Sequence, residues 1–113
     1  MGFLLFFNRK MELVNYVNEL QGQLSGITET KLSLTKDIAK LSSDIADLGD
    51  KDSPAVKALE SKKKDLEALD KELDAKVAKL NAQIQAANTE LQAADQALTQ
   101  SISTSFAPKY FGS

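Results

Sequence analysis

A chain of 113 residues with 14 basic and 16 acidic side chains has a net charge of −2 and room for one domain at most. That balance supplies no global field to recruit nucleic acid or an anionic membrane, so no nucleic-acid partner is expected. There is no Cys, which excludes disulfides, thiolate metal sites and thiol nucleophiles, and no His, which removes the commonest general base and transition-metal ligand.

The first segment, 1–9, is apolar and runs MGFLLFF before Asn8, Arg9 and Lys10. No cleavable signal peptide is expected: the apolar run is short, the positive charge follows it, and no small-residue cleavage site comes after. Nor can the run span a bilayer, which takes about 20 apolar residues. The Gly2-Phe3 start is similar to the cleaved end of type IV pilins, but that family's long apolar helix and acidic residue are missing. Two readings remain open. The segment is an apolar plug for a neighbouring subunit or a membrane, or Phe3 and Phe6 continue the helix pattern below and leave Leu4, Leu5 and Phe7 facing outward.

The spacing predicts a first helix over 10–48. Leu13, Val17, Leu20, Leu24, Ile27, Leu34, Ile38, Leu41, Ile45 and Leu48 step by threes and fours, a coiled-coil seam interrupted by Lys31 at an a position. A turn over 49–53 follows. Gly49 suits a left-handed residue after the helix end, Asp50-Lys51-Asp52 is a polar turn, and Ser53 caps a second helix that starts at Pro54. The second helix, 54–105, has its own heptads. Val56, Lys63, Asp70, Val77, Ile84, Leu91 and Leu98 stand at a, and Leu59, Leu66, Leu73, Leu80, Ala87 and Ala94 at d. Pro108 is expected to end it near 103–106 and leave an aromatic tail, 106–113, with Tyr110 and Phe111.

A short turn forces neighbouring helices antiparallel. Pairing positions whose numbers sum to 104 sets a against d throughout: Ile45 with Leu59, Ile38 with Leu66, Ile27 with Val77, Leu24 with Leu80, Leu20 with Ile84, Leu13 with Leu91. The fold class is therefore all-α, one long antiparallel two-helix coiled-coil hairpin over 1–113 with short apolar and aromatic extensions. Lys31 falls beside Leu73, about one turn from Asp70. The pair can fix the register, or both side chains can reach out to solvent along the seam.

Charge is zonal. Residues 31–79 hold 22 of the 30 charged side chains, which places them at the turn end. Gln, Asn, Ser, Thr and Ala cover the terminal half instead, and a helix facing only water usually carries charge on its outer side. Gly22 and Gly26 lie on the back of the first helix, and Ala78, Ala82 and Ala86 on the back of the second. Alanine is harmless on a helix surface, but each interior glycine costs about 1 kcal/mol against alanine, which favours a packing role. Together with Phe3, Leu4, Leu5, Phe6, Phe7, Ile102, Phe106, Tyr110 and Phe111, these are the candidate assembly contacts.

No residue set carries catalysis, a cofactor or a metal. Asp44, Asp47, Asp50 and Asp52 lack calcium-loop spacing, and Lys62-Lys63-Lys64 lies among acidic neighbours as a solvated face. The expectation is a non-enzymatic self-assembly subunit, a hairpin packing into a homo-oligomer or filament through its charge-poor half. In design it resembles the helical ends of flagellins and the hairpins of type III secretion needle proteins, which are Cys-free and bury their termini. No motif of those families is matched, and no residue role is carried over. Two alternatives stand beside it: a coiled-coil adaptor or export chaperone that binds a partner helix, and a peripheral membrane protein anchored through Gly2–Phe7. The compartment stays open between an extracellular assembly and the cytoplasm.

Overall fold

The computed structural model describes the backbone of residues 2–111 and the side chains of residues 2–102. The chain is an all-α helical hairpin of two helices, α1 (Gly2–Leu48) and α2 (Pro54–Phe111), with no strand among the described residues. No described helix is long and apolar enough to cross a membrane.

Local chemistry fixes the reversal. Gly49 adopts φ +70°, where a Cβ would be strained, and its N–H bonds the Ile45 carbonyl at 3.3 Å, closing α1 in a left-handed cap. The Asp50 N–H then bonds the Leu48 carbonyl at 2.8 Å, and the Asp52 N–H bonds Asp50 Oδ1 at 3.0 Å. Ser53 Oγ accepts the Val56 N–H at 3.1 Å, the N-cap geometry in which a hydroxyl satisfies an orphan donor of the first turn. Pro54 needs no such partner, having no N–H to satisfy.

Both outer boundaries differ from the sequence expectation. α1 begins at Gly2 rather than at residue 10, so the apolar segment is helical and belongs to the same element. α2 runs past Pro108 to Phe111 instead of ending near 103–106. Proline's fixed φ is itself helical, and its penalty is one lost backbone bond and a clash with the preceding turn, which ends a helix less surely than a conformational stop would. The side chains of Phe106, Tyr110 and Phe111 lie outside the described residues.

Two compact units make up the chain, Met1–Gly22 with Leu80–Ser113 and Gln23–Lys79. In the first unit Leu13, Val17 and Ala87 form a buried cluster with Ile84 and Leu91 packed against it. Leu20, Leu80, Ala94 and Leu98 are buried in the same unit. In the second, Leu34, Leu41, Val56 and Leu73 are buried, while Leu24, Ile27, Ile38, Ile45, Leu59, Leu66 and Val77 are half-buried. Among the described residues, every buried one is an a or a d residue of the ladders.

Leu48 departs from the seam expectation, and Phe3 from one of the two readings left open for its segment. Leu48, the last residue of α1, is 50% exposed because the chain reverses directly after it and no further turn of helix covers it. Phe3 is also exposed, and it stacks on Phe7 with ring centroids 6.0 Å apart instead of entering the seam. At that end of the first unit Gly2 approaches Ser101, whose Oγ would lie 3.5 Å from an added Cβ, so the opposing surface there is small and polar.

Candidate interaction surface

The first unit holds seven charged residues, Arg9, Lys10, Glu12, Glu19, Glu90, Asp95 and Lys109, and the second holds the rest of the thirty. Large apolar side chains are exposed in the charge-poor unit: Phe3, Leu4, Leu5, Phe7, Met11, Tyr16 and Ile102. Leu4 and Leu5 are 63% and 68% exposed, at the first turns of a helix where nothing charged precedes Arg9. Phe6 is half-buried, so among the four aromatic and aliphatic residues that follow Phe3 it alone turns partly inward.

Met11 was not singled out by the seam pattern, although a second ladder carries the signal. Beside the a/d seam of α1 the b and e positions are Leu4, Phe7, Met11, Val14, Asn18, Gln21, Ser25, Thr28, Leu32, Thr35, Ala39, Ser42 and Ala46. None is charged, and the first four are apolar. The threonines in this row turn their polarity inward: Thr28 Oγ1 donates to the Leu24 carbonyl at 2.9 Å, and Thr35 Oγ1 to the Lys31 carbonyl at 2.9 Å.

Gly22 and Gly26 are exposed, and a Cβ built at either would meet nothing within 4 Å. Neither has a positive φ. The chain's own fold therefore gives no reason for glycine at either position. Gly22→Ala and Gly26→Ala are each expected to raise the stability of the isolated chain by about 0.5–1 kcal/mol, read from urea unfolding below the concentration of self-association. A loss of stability would mean that the helix needs glycine there for itself. Ala78, Ala82 and Ala86 are exposed as well.

Arg9 and Lys10 of the first unit are engaged. Arg9 reaches Glu90 at 2.6 Å and Glu12 at 3.3 Å, and Lys10 reaches Asp95 at 2.8 Å. The hydrogen bond to Glu90, then that to Glu12, holds the Arg9 guanidinium even further toward its charged form. Below and above the Arg9–Glu90 bridge the surface dips. One hollow is lined by Glu12, Leu13, Tyr16, Gln83, Ala86 and Ala87, the other by Phe6, Leu13, Ala93, Ala94 and Ala97, and Arg9 and Glu90 line both. Alanines at the d positions 87 and 94, with alanine neighbours, leave these hollows where longer side chains would have filled the flank.

In the second unit Lys31 Nζ lies 3.2 Å from Asp70 Oδ1 and also contacts Asp74 Oδ1. Asp74 escaped the sequence reading although it stands one helical turn after Asp70, on the same face. The Asp74 hydrogen bond, followed by Asp70, raises the Lys31 pKa against the opposing effect of desolvation. A raised folded-state pKa means a contribution fully present below the ordinary lysine value and lost as pH rises through the folded one. The Tm difference between wild type and Lys31→Met is therefore expected to stay constant through neutral pH and to fall above about pH 10.5. A difference that is flat to the alkaline limit would deny the bridge a role in stability. Exposure and salt screening keep the effect small.

Among the described residues no group of three or more acidic side chains is placed to hold a metal ion. Asp50 instead serves the turn, as described above. Compared with protein-family models, with curated proteins and with solved structures, the chain finds no match in any of the three.

Proposed function

We propose that the chain is a non-enzymatic structural subunit that self-assembles into a homo-oligomer or filament through its first unit. The observation that carries this reading is the coincidence of sparse charge with a row of large exposed apolar side chains, Phe3, Leu4, Leu5, Phe7 and Met11, on one helix. Side chains of that kind left about half exposed contribute on the order of 100 Å² each, and Phe3, Leu4, Phe7 and Met11 fall within about 100° of one another around the helix, so together they make a patch of about 400 Å², within the range that is often functional. A two-helix pair also has a single seam to live on, and association is one of the ways in which small cores gain support.

The ion pairs weigh against the membrane alternative. Arg9 and Lys10, the cations that would meet lipid headgroups, are already held by Glu90 and Asp95. Sedimentation velocity over a hundredfold concentration range, with electron microscopy of the same samples, tests the reading. Growth of the sedimenting mass with concentration, with ordered oligomers or filaments in the micrographs, is expected. A chain that keeps one mass throughout and shows no assemblies would overturn it.

A further inference from the structure

Resting on the self-assembly reading, we infer that two copies join through one and the same surface. The apolar face of Phe3, Leu4, Phe7, Met11 and Val14 packs, antiparallel and about a two-fold axis, on the identical face of a second copy. Direction defines this face. At about 100° per residue, Phe3 and Val14 lie some 40° and 20° to one side of Phe7, and Met11 and Leu4 some 40° and 60° to the other. Arg9 points about 160° away from Phe7. Its bridge to Glu90 therefore marks one flank of the first unit, and the apolar face marks the other.

The second helix extends that face. Asp95 lies about 140° around α2 from Glu90 and receives Lys10 at 2.8 Å on the side away from the Arg9 bridge. Ile102, 43% exposed, stands seven residues beyond Asp95 on the same stripe of α2. Charge separates the two flanks. The flank of the hollows carries Arg9 with the carboxylates of Glu12 and Glu90, and a copy docked there would bury an unmatched carboxylate. The apolar face has no ionisable side chain among its five α1 residues, and its neighbours Lys10 and Asp95 neutralise each other.

Area and spacing point to a second copy as the occupant. Phe3, Leu4, Phe7 and Met11 expose about 400 Å², and Ile102 adds on the order of 100 Å². Two copies together then remove about 1,000 Å² from water, the size at which a specific protein contact begins. The steps from Leu4 to Phe7, Met11 and Val14 are three, four and three residues, a spacing that is the same in both directions. Reversed on itself, it sets Leu4 against Val14 of the second copy and Phe7 against Met11, as the seam inside the hairpin sets a against d. A larger or stiffer side chain meets a smaller or more flexible one in each layer. A parallel pair would instead continue past Val14 into Asn18 and Gln21 and bury amides. Because the two surfaces are identical, the contact closes at two copies, and any longer assembly joins such pairs through another surface.

Engineered thiols test the geometry, since the chain has no cysteine of its own. Leu4→Cys and Val14→Cys are prepared separately, then oxidised alone and as an equimolar mixture where wild type is associated. In the antiparallel pair, position 4 of one copy faces position 14 of the other. Position 4 and its own counterpart stand about 15 Å apart along the helix, as do the two copies of position 14, beyond disulfide reach. The mixture is expected to form covalent dimers on non-reducing gels several-fold faster than either variant alone.

The antiparallel contact is overturned if either variant alone links as fast as the mixture, which is the mark of a parallel pair. It is equally overturned if the mixture does not link at a concentration where wild type is associated. Flotation of the variants with phosphatidylcholine vesicles in place of linking would give the face to lipid and overturn it too. Failure of the assembly reading itself is a different result, in which wild type keeps one chain mass at every concentration.

Discussion

Leu13→Ala is expected to lower the unfolding free energy by about 2–5 kcal/mol, the usual range for truncating a buried leucine. Leu13 is 4% exposed and packs with Val17 and Ala87, with Ile84 and Leu91 closing the cluster. The upper part of the range applies because the site cannot easily collapse. Ala87 has no further atoms to move into the gap, and Val17 is β-branched and stiff in a helix. A seam between two helices also has no third element behind it. Natural domains are stable by only about 5–15 kcal/mol, so such a loss takes a large share of the total. The control is Leu32→Ala, at a position 62% exposed, which is expected to change stability by no more than about 0.5 kcal/mol. Urea unfolding checks both. Association would add concentration-dependent stability, so the comparison belongs at a dilution where one chain mass is observed. A cost for Leu13→Ala as small as that for Leu32→Ala would mean that the seam is not what holds the first unit together.

The seam was readable because its cause is periodic. Leu13, Leu34, Leu73 and Leu80 are buried for the same reason that they recur at threes and fours, and Gly49, Ser53 and Pro54 each satisfy a local backbone need that sequence alone states. What escaped was set by surroundings. Leu48 fits the ladder but lies where the chain turns away. Phe3 fits it too, yet it stacks on Phe7 because aromatic contact along one helix competes with a seam that is small and polar opposite Gly2. The start of α1 at Gly2 followed from propensity that the apolar segment shares with any long helix, and a signal for its boundary was lacking. Met11 and the hollows needed a second period and the volumes of alanines at 87 and 94, which become visible once the helices are placed side by side.

Replacing Leu4, Leu5, Phe7 and Met11 together with Gln is expected to weaken self-association by about a thousandfold or more while leaving the single chain folded. Fully burying such a side chain contributes about 1.5–3 kcal/mol, and these start roughly half exposed, so each loses on the order of 1 kcal/mol of association free energy. Four of them amount to about 4 kcal/mol, and every 1.4 kcal/mol is a factor of ten. Gln is a good helix former, so α1 loses little propensity. The one internal cost is the Phe3–Phe7 stack, about 0.5–1.5 kcal/mol. Circular dichroism should therefore show unchanged helicity, and sedimentation should show one chain mass at concentrations where wild type is assembled. If the variant assembles like wild type, the apolar ridge is not the assembly surface, and the glycine face at Gly22 and Gly26 becomes the surface to mutate next.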